Sequence, residues 1–408
     1  LHSTLQPVQY WSLPTGISDV RSVDEAVEQT RALLEEVVRL RLVSDVPLGA
    51  FLSGGLDSSA VVALMRHATQ GTIRTCSIVF EEAEYSEARY ARAVAEHLGT
   101  EHFERVITAD DVLKEFDNIL YALDQPSVDG VNTYFVSQTA RQAGLTVALS
   151  GLGGDELFGG YPNTFGDTPK VFRALSLAQA MPMGAALGKT VISFLPNAAK
   201  WSRVSDALDR PASLASAYLT RRGLFSPGEV KQLVHADVWA AAAFDAVDHV
   251  AARANGNGAG DTFAWVSRAE LRTYTHHQLL RDTDAMSMIH SLEVRVPLLD
   301  RQLVALLLKY PTMIKTNGNE QPKPLLAKSL EGMLPSMVLN RRDKQGFTFP
   351  FAKWLNSEMQ SKFYAVTDHV KTTLPINRDT FDHLLSQFAN GEIHWSRVWS
   401  IAALGCLE

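Results

Sequence analysis

Cysteine is nearly absent. Cys76 and Cys406 are the only two in 408 residues, too few for a disulfide framework or a thiolate zinc site. Cys76 falls in a strand-like run and reads as a small buried hydrophobe. A reducing cytoplasm is the simplest compartment for such a chain. An excess of positive charge is missing too. The 38 Lys and Arg against 45 Asp and Glu leave a net charge of -7, which gives no electrostatic footprint for nucleic acid. Long apolar runs are also lacking. The most membrane-like stretch, residues 174–199, is broken by Pro182, Lys189 and Pro196, so a buried helical hairpin is expected there and no membrane partner. The opening Leu1-His2-Ser3-Thr4 has no charged start leading into an apolar core, so no signal peptide is expected. A start at Leu1 rather than Met suggests a fragment or a processed product.

What remains is ordinary globular material, 46% hydrophobic and 20% charged, long enough for two domains or one large domain with an extension. Its most informative stretch is Ser53-Gly54-Gly55-Leu56-Asp57-Ser58-Ser59, directly after the apolar run Val46 to Leu52. The pattern is a buried strand turning through two glycines into a helix. Glycine lets backbone approach a ligand with no Cβ in the way, and the helix start behind it offers unpaired N–H groups to phosphate. The Gly-Lys-Ser/Thr ending of a Walker A loop is missing here, and Asp57 stands where a cation would be wanted, so a metal ion between Asp57 and phosphate is expected. A plain strand-to-helix turn would also satisfy these residues. A second strand-like run, Leu145 to Leu149, leads into Ser150-Gly151-Leu152-Gly153-Gly154-Asp155-Glu156-Leu157-Phe158-Gly159-Gly160-Tyr161. In an open parallel sheet both loops would lie beyond the carboxyl ends of their strands, where Asp57 and Asp155 could share one Mg²⁺.

With Ser291-Leu292-Glu293-Val294-Arg295-Val296-Pro297-Leu298-Leu299-Asp300 and Lys344-Gln345-Gly346-Phe347-Thr348-Phe349-Pro350, these motifs resemble the asparagine synthetase family, specifically its PP-loop ATP-pyrophosphatase domain. The expected fold is α/β, a doubly wound parallel sheet with a helical C-terminal portion. Residues 1–20 would be a linker from an N-terminal glutaminase domain outside this chain, 21–165 the α/β core, and 166–408 a mainly helical portion closing the site. Along the core, Ser22 and Glu25 suggest a capping box, Ile73 to Phe80 a second strand, Ser86 to Leu98 a helix closing at Gly99, and Glu101 to Val106 a polar edge strand. Residues 255–260 read as a flexible loop.

The resemblance implies ATP and Mg²⁺, attack of a substrate carboxylate on the α-phosphate, release of pyrophosphate, and transfer of the acyl group to ammonia. Aspartate is the expected carboxylate, and a homodimer is left open. Ser53, Gly54, Gly55, Ser58 and Ser59 suit a phosphate cradle, with Asp57 and Asp155 on the metal. In family terms Phe51 and Val79 would wall the adenine, and Ser150 and Gly151 would contact the AMP part. Lys344, among Arg341, Arg342 and Asp343, is by itself a solvated basic turn; the resemblance makes it the mobile cation over the leaving phosphates. Lys323 is a weaker candidate for the same cation and reads rather as a surface residue, and Asp282 and Asp284 read as packing or interface acids. Glu293 and Arg295 suit either structural pairing or a place in the site.

The sequence also departs from the family. Where well-known members carry a Glu between the first glycines of the second loop, this chain has Leu152, which cannot move a proton. Glu293, with Glu156 in reserve, is then the expected acceptor of the nucleophile's proton. Gln125-Pro126 replaces the usual Glu-Pro. Two other readings therefore stay open: a lactam-forming or sugar amidotransferase relative, and a nucleotide-binding protein without catalysis. Retention of Asp57, Asp155 and Lys344 argues against the latter.

Overall fold

The computed structural model describes residues 8–82, 84–194, 201–242, 245–254, 261–316, 322–342 and 349–406. Its centre is a parallel sheet of five strands, β1 (Leu48–Phe51), β2 (Arg74–Val79), β3 (Glu101–Val106), β4 (Val147–Leu149) and β5 (Glu293–Arg295), in the order β3-β2-β1-β4-β5. The register sets Ala50 beside both Thr75 and Leu149, and Leu149 beside Arg295. Thus β1 and β4, which end in the two glycine-rich loops, are neighbours at the middle of the sheet. Their short apolar sequences are what strands buried on both faces require. The polar strand β3 lies at the edge, as its composition predicts.

The sheet-covering helices follow from apolar periodicity. Helix α1 (Val23–Arg41) buries Ala26, Leu34, Val37 and Val38. Ser22 caps it by accepting from the Glu25 N–H at 3.1 Å. The Glu25 carboxylate reaches the Arg21 N–H instead of the cap's own, so the expected capping box is only half made. Helix α2 (Leu56–Ala68) buries every residue from Ser58 to Met65, and each large apolar side chain so buried contributes about 1.5–3 kcal/mol. Helix α3 (Ala88–Leu98) stops at Gly99, whose φ of 61° is the left-handed cap the sequence suggests. Helices α4 (Ala109–Ala122) and α5 (Gly130–Gln142) fill the β3-to-β4 connection.

Residues beyond 165 do not form a separate body. They supply β5, and Leu303, Leu307, Leu325 and Leu326 pack into one core with Leu34, Val37 and Val38 of α1. Near the C-terminus, Phe351 stacks on Trp399 with ring centroids 4.9 Å apart, and Phe80 beyond β2 meets Phe349 at 4.8 Å. The 174–199 stretch gives helices Asp167–Ala180 and Gly184–Ser193. This hairpin is not buried as expected. Val171 and Leu175 pack inward while Leu177, Met181, Leu187 and Val191 are exposed, because apolar residues occupy both faces of each helix. Among the described residues no helix is long and apolar enough to cross a membrane. The loop expected at 255–260 lies outside the described residues.

Candidate functional site

The first loop is ordered by its own hydroxyls. Ser53 Oγ and Ser58 Oγ lie 3.1 Å apart, the Gly55 N–H donates to Ser53 Oγ, and Ser58 Oγ donates to the Gly55 carbonyl. Gly54 has a φ of 81°, and a Cβ there would lie 2.5 Å from the Ala91 nitrogen, so only glycine fits. Ser59 is fully buried, and its hydroxyl has no hydrogen-bond partner among the described residues. Phe51 and Val79 stand at the carboxyl ends of β1 and β2, half-buried and buried respectively.

The second loop closes on the first. Ser150 is buried, and a Cβ on Gly151 would lie 2.6 Å from the Ser58 nitrogen. Gly154 opens helix α6 (Gly154–Phe158), and a Cβ there would lie 2.4 Å from the Asp57 carboxyl carbon. The two glycine runs therefore bring Asp57 and Asp155 together. Between them sits Lys323, whose Nζ pairs with Asp155 at 2.5 Å and also with Asp57. Burial by itself would discharge this ammonium. The two carboxylates, Asp155 foremost, overcome that and hold it well above the ordinary lysine range. Lys323 is 3% exposed, which corrects its reading as a surface residue. Its φ of 52° is unusual for a side chain with a Cβ. The sequence signal was Pro322-Lys323-Pro324, a lysine placed just before a helix whose first residue is Pro324.

Lys344 lies outside the described residues. Arg341, three positions earlier, pairs with Glu87 and stacks 3.9 Å over Tyr90, the residue packed beneath Gly54. Glu293 is not brought to the two acids. It opens β5 opposite Val147, before the carboxyl ends of the strands, and its exposed carboxylate accepts from Arg295 at 2.6 Å. Arg295 also donates to the carbonyls of Arg41 and Val43, so the pair ties the sheet edge to the end of α1. Asp282 is a buried packing acid, held by Ser127 and Gln125 and pushed up to about 7 by burial; Asp284 is exposed.

A polar network extends from Asp155. Glu156 is buried, accepts from the Tyr161 hydroxyl at 3.0 Å, and is pushed up to about 7 by burial and then by Asp155 and Glu270. The Arg222 guanidinium pairs with buried Glu270 and lies over the rings of Tyr161 and Tyr274. Tyr274 and Gln278 both donate to Asp129 Oδ2 at 2.7 Å. Sequence reasoning missed this network, because its members are spread from residue 129 to 278 and only the helices unite them.

A glycine cradle, a buried unpaired hydroxyl and two facing carboxylates suit a polyphosphate with a hard cation. The family model described as asparagine synthase matches residues 29–407. The chain belongs to the asparagine synthase family. It is 30% identical over 383 residues to asparagine synthetase [glutamine-hydrolyzing] 1 of Bacillus subtilis, covering 93% of this chain and 58% of that protein. A putative asparagine synthetase [glutamine-hydrolyzing] of Mycobacterium bovis is 31% identical over 388 residues, with 92% and 56% covered. Amidase chry2 of Gibberella zeae is 24% identical over 392 residues, with 86% and 57% covered. The chain thus spans a little over half the length of these relatives.

Proposed function

We propose that the chain is an ATP-dependent amide-forming ligase that adenylates a carboxylate, releases pyrophosphate and passes the acyl group to ammonia, with aspartate giving asparagine. The observation that carries this reading is Lys323 buried between Asp57 and Asp155, one acid from each glycine-rich loop. Backbone and hydroxyls of Ser53 to Ser59 would hold the β- and γ-phosphates. Phe51 and Val79 would border the adenine, with Ser150 and Gly151 against the AMP part. Asp57 and Asp155 would hold Mg²⁺, which when bound neutralises charge on the phosphates. Lys323 is then the buried cation that stabilises the departing pyrophosphate, with Lys344 a second cation of the same role. Regulatory ATP binding has no need of a lysine and two acids at one point.

For the second half-reaction, Glu156 is favoured over Glu293 as the proton acceptor. Glu156 adjoins Asp155 in sequence, accepts from Tyr161, and is pushed up by burial toward the range in which a carboxylate serves as a general base. Glu293 is exposed and committed to Arg295. A second reading, the same adenylation on a different carboxylate, is supported by Leu152. A screen of carboxylates for pyrophosphate release from ATP, opening with aspartate plus ammonia, tests both. Turnover of aspartate to asparagine is the expected result. Turnover of another carboxylate alone selects the second reading, and pyrophosphate with no carboxylate overturns both.

A further inference from the structure

Away from the phosphate loops, the helices Ser202–Ala207, Leu214–Arg222, Pro227–Leu233 and Ala236–Ala241, with the start of Ala246–Ala254, enclose a cavity of about 350 Å³. Its walls are mostly apolar, with Leu219, Phe225, Val230, Trp239 and Val247 prominent. That volume and lining are those of a small-molecule site. Its charged groups are unevenly matched. Asp245 pairs with Arg210 at 2.5 Å. Asp206 accepts from the Ser226 hydroxyl and the Gly228 N–H. Glu229, just outside, accepts from Ser202, Ser226 and Arg397.

Two of these groups make no ion pair among the described residues: Asp206, whose hydrogen bonds come from neutral donors, and the cation Arg203. The Arg203 guanidinium donates to the Gly223 carbonyl. Arg397 lies beside it over the Phe225 ring, and the Arg397 Nε is buried with no partner among the described residues. Burial, with Arg397 and Arg221 adding to it and Glu229 opposing, pulls the Arg203 guanidinium below its ordinary range. A cation left half-buried without a carboxylate partner is costly, and a planar anion offers it the two-pronged hydrogen bonding it lacks.

We infer that this cavity binds a compact carboxylate with an apolar body, its carboxylate on Arg203 and its body among Leu219, Phe225 and Trp239. The Leu214–Arg222 helix turns Leu219 and Thr220 to the cavity, and its last residue, Arg222, pairs with Glu270. The cavity and the polar network near Asp155 therefore share one helix. Binding here does not depend on the ligase reading.

Calorimetric titration of the 408-residue chain with 3-phenylpropionate and with its neutral amide tests it. The carboxylate is expected to bind at least about tenfold more tightly than the amide, a charge-assisted pair's worth of preference. Arg203→Met should abolish that preference while leaving the amide's affinity unchanged. Val247→Phe, filling the cavity from its partly exposed rim, should weaken both probes at least about tenfold, with circular dichroism confirming a folded chain. Absence of saturable binding by the unaltered chain, equal binding of the two probes, or a preference that survives Arg203→Met overturns the inference.

Discussion

At the scale of single residues, buried charges dominate. Lys323 neutralises two carboxylates that would otherwise face each other, so Lys323→Met should act twice. ATP–pyrophosphate exchange should fall at least about 100-fold, because transition-state charge loses its cation. Without Mg²⁺ the folded chain should also lose stability, on the order of 3 kcal/mol for an uncompensated buried pair, and added Mg²⁺ should restore part of it. Exchange within a few-fold of the unaltered chain would place the cation elsewhere. For Glu156, Glu156→Gln should keep pyrophosphate exchange and lose amide formation, a split that half-reaction assays read directly. Equal loss of both would assign Glu156 to packing. Lys315 is buried with much weaker compensation, Asp261 acting on it only through space. It is 1% exposed, its Nζ has no hydrogen-bond partner among the described residues, and it lies 4.4 Å over the Phe263 ring. Burial pulls it down to about 8. Between about pH 8 and the ordinary lysine value the unfolded chain holds a proton that the folded chain has lost, so stability should rise with pH across that window. Lys315→Met should remove this rise and stabilise the chain below pH 8 by about 3 kcal/mol at most. Denaturant titrations at pH 7 and pH 9.5 compare the two.

At the scale of elements, the glycine loops separate packing from chemistry. A methyl on Gly154 would strike the Asp57 carboxyl, a side-chain end that can turn aside, whereas one on Gly151 would strike the Asp57–Ser58 backbone. Gly154→Ala should therefore cost activity with little change in melting temperature, and Gly151→Ala should lower both. Matched thermal melts and pyrophosphate assays check this; a large stability loss in Gly154→Ala alone would contradict it. The β1 and β4 loops, the polar edge strand and the Gly99 helix stop were legible in the sequence because each depends on neighbouring residues. Lys323 was legible only as a minor candidate cation, because its burial depends on acids 266 and 168 positions away. Likewise nothing local to Glu293 shows that β5 begins before the ends of its neighbours, and the hairpin's two apolar faces look the same in sequence whether one or both are covered.

For the whole molecule, the sheet order places both loops side by side, and residues beyond 165 return to supply β5, Lys323 and the Arg222–Glu270 pair. Cys76 is unsuited to act as a nucleophile, being buried with its thiol pushed up to about 12. Adenylation at the junction of the two loops requires that ATP be cut between its α- and β-phosphates. Phosphorus NMR of ATP consumed with Mg²⁺, aspartate and ammonia should show AMP and pyrophosphate as primary products, with their formation lost in Asp155→Asn. ADP and inorganic phosphate as primary products, or unchanged pyrophosphate formation in Asp155→Asn, would rule out adenylation at this site.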